Sequence, residues 1–234
     1  MPLIITCEHG GNRIPKKYSS LFKNKKRILE SHRGWDPGAL VLARQLAREL
    51  SAPLFYSDVS RLLIDLNRSV HHPDLFSDYS RECSNDTKQK LIAEFYQPYR
   101  DQVEQTIKKL QGAGQPLLHL SIHSFTPVMN DKPRNADIGL LYDPSRNLER
   151  SYCQQFKSSI NKALPELRLR NNYPYRGTAD GFTTYLRKRY TASRYLGIEI
   201  EINQKHVNDN NQTWLLIRKK LAKLILQTSN TIIN

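Results

Sequence analysis

Apolar positions along this chain recur in two rhythms. Residues 3–7, "LIITC", form a short apolar run that reads as a strand. "PLLHLSIHS" (116–124) alternates, with Leu118, Leu120 and Ile122 on one face and His119, Ser121 and His123 on the other. "LGIEIEI" (196–202) does the same: Ile198, Ile200 and Ile202 share a face, Glu199 and Glu201 the opposite one. "APLFYS" (52–57) and "LLIDL" (62–66) read as strand pieces joined by a turn, and "IGLLYD" (138–143) as a further strand.

The helical rhythm lies between these runs. Asp36-Pro37 opens a helix as an N-cap carboxylate followed by proline, with Leu42, Leu46 and Leu50 as its apolar stripe up to Ser51. Residues 86–111 predict a long amphipathic helix, interrupted or kinked near Pro98 and closed by "GAG" (112–114). Residues 147–163 predict a helix, 179–190 a shorter one, and 210–228 the closing one. Strands alternating with helices imply an α/β fold whose central strands are covered on both faces. Neither an internal repeat nor a low-complexity linker interrupts the pattern, so residues 1–234 are expected to form one domain.

Composition narrows the class. No apolar run approaches the ~20 residues of a membrane helix. Met1 leads straight into a strand-like segment without a basic-then-apolar leader, so no secretion signal is expected. Cys7, Cys83 and Cys153 are odd in number, far apart and without zinc-finger spacing, which suggests reduced thiols in a cytoplasmic protein. Cys7 is either plain core or a neighbour of a site. The net charge of +14 is concentrated in "PKKYSSLFKNKKR" (15–27) and "YLRKRY" (185–190), both interleaved with aromatics. Such stretches could bind nucleic acid through phosphates and stacked bases, but no nucleic-acid-binding motif accompanies them. A basic surface that favours a small anionic substrate is the preferred reading.

Chemistry is expected at the carboxyl ends of strands, where ligands gather in open α/β sheets. In "TCEHGGNRIP" (6–15), Glu8 and His9 follow the first strand directly and precede two glycines. His123 ends a second strand, and Glu199 and Glu201 face one way near the end of a third. A single core histidine is more often structural. Two histidines with carboxylates at strand ends match the donors of an open zinc site. The glutamates either face water on an edge strand or stand buried beside cations, protons or a metal. "SRLLIDLNRS" (60–69) sets Arg61, Asn67 and Arg68 around an apolar run. Its arginines either grip a carboxylate by paired, charge-assisted hydrogen bonds or pair with Asp58 and Asp65 on the surface.

"CEHGGNRIP", "GWDPGA", "SRLLIDLNR", "SIHS", "NYPYRGTADG" and "IEINQ" occur in the order seen in N-formylglutamate amidohydrolases, and over residues 3–204 the chain resembles that family. "DLNR" and "SIHS" also resemble the wider group of zinc carboxypeptidases and aspartoacylase-type deacylases. The resemblance implies a three-layer α/β/α domain with a central mixed sheet, phosphorylase/hydrolase-like and zinc-exopeptidase-like, with one zinc ion over the strand ends. It matches His9 and His123 to the ligand histidines, Asn67 and Arg68 to the pair that holds a substrate carboxylate, and Glu201 to the general base. Arg61 matches the arginine that polarises the scissile carbonyl or helps hold the substrate. The carboxypeptidase-type groups take a carboxylate ligand three residues after the first histidine, where this chain has Asn12. Asp36 of "GWDPGA" matches the recurrent aspartate of the amidohydrolase family and by that resemblance is given the carboxylate role, with Glu8 as the alternative. Arg176 is given a second, side-chain carboxylate, and the glycines after His9 are read as room for backbone to pass close to the metal.

The expected activity is zinc-dependent cleavage of the amide of an N-acyl amino acid resembling N-formylglutamate. Two rivals stand beside it. One is a related zinc deacylase or carboxypeptidase with another acyl-amide or peptide substrate. The other is a basic nucleic-acid-binding protein whose histidines and carboxylates are structural.

Overall fold

The computed structural model describes residues 1–113, 115–208 and 210–231. Among them a six-stranded sheet forms from β1 (Leu3–Cys7), β2 (Leu54–Tyr56), β3 (Leu117–Phe125), β4 (Ile138–Leu141), β5 (Leu169–Asn171) and β6 (Tyr195–Asn203). Its order is β2-β1-β3-β6-β4-β5. Strands β2, β1, β3 and β6 run parallel, while β4 pairs antiparallel with β6 and parallel with β5. The expected mixed sheet is present.

Alternation along the strands divides the core into two layers. Ile5, Cys7, Leu118, Leu120, Ile122, Ile198, Ile200 and Ile202 pack on one face against α1 (Ala39–Glu49), α4 (Asn147–Ala163) and α6 (Gln212–Thr231). On the other face Ile4, Leu117 and Tyr195 meet α3 (Gln97–Leu110), α5 (Phe182–Arg189) and the apolar residues of 59–66. Strands β3 and β6 are buried along their whole length, as central strands covered on both faces must be. Their register sets Ser121 beside Glu199 and His123 beside Glu201. The edge-strand reading of the glutamates is thereby overturned.

Two expectations need correction. Residues 62–66 are no strand: turns closed by Leu63 N–H to Ser60 O and Arg68 N–H to Asp65 O, with a longer-range bond from Asp65 N–H to Leu75 O, fold this stretch into a compact loop. The coiling buries Leu62, Leu63, Ile64 and Leu66 together and frees the polar residues to turn the other way. Asp36 does not cap a helix either. α1 starts at Ala39 with Gly38 as its N-cap at φ 81°, a left-handed conformation that favours glycine. The 86–111 helix is interrupted near Pro98, one of the two expected forms: α2 (Asn85–Leu91) and α3 are joined by a π-helical turn at Ile92–Tyr96. That widened turn directly precedes Pro98, which has no N–H to donate. Gly112 and Ala113 belong to a short 3-10 turn, while Gly114 lies outside the described residues. β5 and the small hairpin of Val128–Met129 with Lys132–Pro133 were not anticipated, each being too short to show a period. The short helical turns Lys16–Phe22, Lys26–Leu29 and Gln204–His206 were not anticipated either, while the other expected elements agree with the sequence pattern to within three residues at each end.

The basic stretches also differ from expectation. Tyr18 and Phe22 are buried in the second core layer, so their rings do not face outward for stacking. Arg187 is buried against Glu149 at 3.0 Å, and Arg189 pairs with Glu104 at 2.9 Å. Among the described residues, no helix is long and apolar enough to cross a membrane.

A crossing of chain over β4 ties the sheet to the loop of residues 172–181. Gly139, beside Glu201 in the β4–β6 register, lies so close beneath Tyr173 that an added methyl group would sit 1.9 Å from its carbonyl oxygen. Gly139→Ala is therefore expected to destabilise the fold by about 1–3 kcal/mol through overpacking. Thermal unfolding should show this as a fall of about 2–4 °C per kcal/mol. An unchanged or raised Tm would show that the crossing gives way without loss.

Candidate metal centre and substrate cavity

His9 leaves the end of β1, and its carbonyl accepts the Asp36 N–H at 2.9 Å, which anchors the 34–38 loop over the strand ends. Gly10 and Gly11 serve this geometry differently than expected. Side chains there would collide with backbone at Ser57 and Asp58, so the glycines permit chain to pack on chain, not backbone to approach a metal. His123 comes from the end of β3 on the same face as Glu201.

The two imidazoles converge on one carboxylate. Asp36 Oδ2 lies 2.8 Å from His123 Nδ1 and 3.4 Å from His9 Nδ1, and the ring centroids are 5.1 Å apart. The far nitrogens are held as well. His9 Nε2 lies 2.7 Å from Asp65 Oδ1. His123 Nε2 lies 2.9 Å from Ser121 Oγ and 3.3 Å from Glu8 Oε2. Since Ser121 Oγ donates its proton to Glu8 at 2.8 Å, it accepts from His123. Tyr99 OH donates to the other Glu8 oxygen at 3.0 Å. Protons on both Nε2 atoms leave both Nδ1 lone pairs facing Asp36, the arrangement by which carboxylates orient metal-binding histidines.

Donor atoms of His9, Asp36 and His123 all lie within 4.8 Å of one another, so this set could hold one metal ion. The local charge fits a divalent cation. Glu8, Asp36 and Asp65 are buried carboxylates, and the Arg61 guanidinium touches this network. With neutral imidazoles, three negative charges against one positive leave an excess of two. Without a metal the imidazoles absorb that excess. Burial disfavours a charged His123, but hydrogen bonds to Asp36 and Glu8 outweigh it and raise its pKa well above the ordinary value. Burial would likewise raise the carboxyl of Glu8, yet bonding to His123 holds it low. Glu8 stands behind His123, while Asp36 stands between the histidines.

His119, one step back along β3, has a different fate. It is locked between Thr6 Oγ1 at 2.7 Å and the Tyr195 hydroxyl at 2.6 Å, and burial pushes its pKa down to about 4. It is a neutral core residue.

Glu201 is buried, and its Oε2 has no hydrogen-bond partner among the described residues. Burial raises its pKa to about 8; His123 opposes the shift while Asp36 and Glu199 reinforce it. Glu199, two residues deeper, is already engaged: Thr183 Oγ1 donates to it at 2.5 Å. One glutamate is thus available for proton transfer and the other is committed to structure.

The 60–69 loop combines its two alternative readings. Arg61 does pair with Asp65, through Nε at 3.2 Å and one terminal nitrogen at 2.7 Å, but the pair is inside the site, and Asp58 pairs with Arg13 instead. Asn67 Oδ1 accepts the Phe182 N–H at the start of α5, and Arg68 donates to the Asp180 carbonyl at 3.2 Å. Arg100, which sequence reasoning passed over, fixes this loop. It donates to the carbonyls of Leu66 and Arg68 at 3.1 and 2.7 Å from within a cage of Tyr96, Phe182 and Tyr185. Asp65 was read only as an ion-pair partner. Its isolation inside "LLIDL" was the available signal for a larger role.

All eight expected site residues line one cavity of about 230 Å³: His9, Asp36, Arg61, Asn67, Arg68, His123, Arg176 and Glu201. Arg176 sits at its exposed rim, on a loop that Asn172 pins by accepting the N–H groups of Tyr142 and Gly177. His32, Arg134, Tyr175 and Asp180 also line the cavity and were not anticipated.

A raised carboxyl pKa means that the folded state binds a proton the unfolded chain has released, so stability falls as pH rises across that interval. For the metal-free protein, Glu201 should cost stability progressively between its unfolded pKa, about 4.5, and its folded value, about 8. Glu201→Gln should remove this component, making the metal-free variant more stable than the parent at pH 8.5 relative to pH 5. Chemical denaturation of both proteins at the two pH values checks the sign. Equal pH dependence would show that Glu201 ionises as an ordinary carboxylate.

Comparison with known proteins now bears on this geometry. The family model of N-formylglutamate amidohydrolase matches residues 1–207. The structure of gene product Atu2144 from Agrobacterium tumefaciens is 30% identical, with a TM-score of 0.84 over 99% of this chain and 92% of that one. The N-formylglutamate amidohydrolase from Ralstonia eutropha JMP134 is 17% identical, with a TM-score of 0.74 over 99% of this chain and 94% of that one, a likeness of fold. None of the curated proteins matches the chain. With a family match that runs from the first strand to just beyond the last, the chain belongs to the N-formylglutamate amidohydrolase family.

Proposed function

We propose that this protein is a zinc-dependent amidohydrolase that cleaves the amide of an N-acyl amino acid of the N-formylglutamate kind. The observation that carries the reading is the convergence of His9 Nδ1, His123 Nδ1 and Asp36 Oδ2 beside the unpartnered Oε2 of Glu201, in a cavity rimmed by arginines. Two imidazoles and one carboxylate, with the outer nitrogens bonded to buried acids, suit zinc with a position left open. Zinc supplies Lewis acidity to the amide carbonyl and to the attacking water.

The chain's own residues would do the rest. Asp65 and Glu8 hold the two imidazoles in the tautomer that presents Nδ1. Glu201, buried with its Oε2 unpartnered among the described residues, takes a proton from the attacking water and returns it to the leaving nitrogen. Arg61, kept charged and rigid by Asp65, faces the cavity where negative charge develops on the carbonyl oxygen. Asn67 and Arg68 orient the amino-acid carboxylate, and Arg176 offers a further cation at the rim. The free cysteines, two of them buried, agree with a reducing compartment such as the cytoplasm.

Metal analysis followed by a panel of N-acyl amino acids tests the proposal. The purified protein should carry about one zinc per chain, and His123→Ala should lose it while remaining folded. Glu201→Gln should keep its zinc and bind substrate, but turn over roughly 10²–10⁴ times more slowly. Full zinc occupancy in His123→Ala would remove that residue from the ligand set. Normal single-turnover rates in Glu201→Gln would remove Glu201 as the base.

A further inference from the structure

We propose that Arg100 is a positioning residue: from behind the 60–69 loop it holds Asn67 and Arg68 at the setting in which the pair grips the substrate's α-carboxylate. This rests on the amidohydrolase reading above and adds to it a residue of α3 that stands outside the cavity.

Arg100 is a buried cation without an acid. Its Nη2 bonds to two backbone carbonyls, and its Nε and Nη1 have no hydrogen-bond partner among the described residues, so no carboxylate is bonded to it. Three rings stand where a counter-ion would. The centroids of Tyr96, Phe182 and Tyr185 lie 4.4, 4.6 and 4.8 Å from the guanidinium carbon. Burying a charge in this way costs the fold stability, and the rings offset only part of that cost. Burial accordingly pulls the Arg100 pKa below the ordinary arginine value. An apolar side chain of similar length would fill the cage without the penalty. What the guanidinium contributes is geometry.

Nη2 donates to the Leu66 carbonyl at 3.1 Å and to the Arg68 carbonyl at 2.7 Å, so one nitrogen draws back the two peptides that bracket residues 67 and 68. The Tyr96 hydroxyl donates to the same Arg68 carbonyl at 2.8 Å. Asn67 is also held by its other groups. Its N–H donates at 3.0 Å to Asp65 Oδ1, the oxygen that lies 2.7 Å from His9 Nε2. Its Oδ1 accepts the Phe182 N–H at 2.7 Å, which leaves the Nδ2 donors of the amide for an anion. Arg68 uses one terminal nitrogen on the Asp180 carbonyl and lines the cavity beside Asn67. Phe182 closes the circle, because its ring is one wall of the Arg100 cage. Arg100 thus ties the two gripping side chains to α5, while Asp65 ties them to His9. A grip on one end of a substrate helps the reaction only if it stands at a fixed distance from the reacting carbonyl.

The test compares N-formylglutamate with its α-methyl ester, using the zinc-loaded full chain. The parent should prefer the acid, and Arg68→Met measures how much of that preference the grip supplies. In Arg100→Met, which keeps bulk among the rings, KM for the acid should rise roughly 10- to 10²-fold, while its kcat and both constants for the ester stay within about 3-fold. Tyr96→Phe removes only the second donor to the Arg68 carbonyl and should raise KM for the acid by about 2- to 10-fold. It carries the same test should the methionine variant fail to fold. Titration calorimetry with glutamate, the amino-acid product, reads the grip without turnover, and its affinity should weaken by the same factor as KM. A merely structural role would reduce the folded fraction, and so lower kcat for acid and ester alike. Equal losses for the two compounds, an unmoved KM for the acid, or a parent indifferent to acid and ester overturns the role of Arg100 and leaves the amidohydrolase reading standing. A parent that hydrolyses neither compound overturns both.

Discussion

The rest of this structure is arranged around a surplus of negative charge buried at the carboxyl ends of its strands. Asp36 bridges two imidazoles whose outer nitrogens end on Asp65 and on Ser121 with Glu8. Each acid is withdrawn from water, and isolated carboxylates in such a setting would protonate. They remain ionised because every one has a specific donor: Tyr99 and Ser121 for Glu8, Arg61 for Asp65, both histidines for Asp36. The acids and their donors come from the end of β1, β3, α3 and the 34–38 and 60–69 loops, so the network fixes how these pieces meet. It also explains why the 60–69 loop coils. An extended strand would separate Arg61 from Asp65, four residues apart, by about 13 Å along the chain, whereas here they form a close pair.

The sheet supplies the second constraint. Parallel pairing of β3 with β6 puts His123 beside Glu201, and antiparallel pairing of β4 puts Gly139 on the other flank of Glu201. Because residue 139 has no side chain, Tyr173 can cross directly above it and bring the loop of Tyr175 and Arg176 over the site. The cavity therefore has a rigid floor of strand ends and walls made from loops anchored at few points. Asn172 anchors one wall and Asn67 another, by accepting backbone N–H groups. Arg100 steadies the second wall from behind, through carbonyls that face away from the cavity.

How far this could be read from the sequence follows from the range of the interactions concerned. Period-two alternation placed His123, Glu199 and Glu201 on one face, and the family motifs brought His9, Asp36, Arg61, Asn67, Arg68 and Arg176 to the same site. Residues joined by long-range contact had no such local signal. Asp36-Pro37 has the local form of a helix cap, but tertiary bonding took the carboxylate for the histidines and left the cap to Gly38. "LLIDL" has the apolar content of a strand, yet its polar residue had to face Arg61 and His9. Arg134 follows a hairpin of two-residue strands, too short to carry any period, so its place beside Phe125, Tyr175 and Asn203 had no local signal. Likewise Arg187 looked like part of a basic surface because Glu149, its partner, lies 38 residues away.

Opposite charges are kept apart within a few side chains of one another. The floor is acidic, with Asp36, Glu199 and Glu201; the walls are cationic, with Arg61, Arg68, Arg134 and Arg176. A cavity with one sign throughout would attract either a cation or an anion and repel the other. This division suits a cation below and an anion above, and Arg61 stands at the boundary, paired to Asp65 and near Asp36 while its edge lines the cavity. That pairing has a further consequence. An arginine already matched by buried acids cannot swing out to follow a ground-state carboxylate, so its charge stays directed at one place. On the proposed reading, reaction would fall to the arginine that the buried acids have already engaged and recognition to the others.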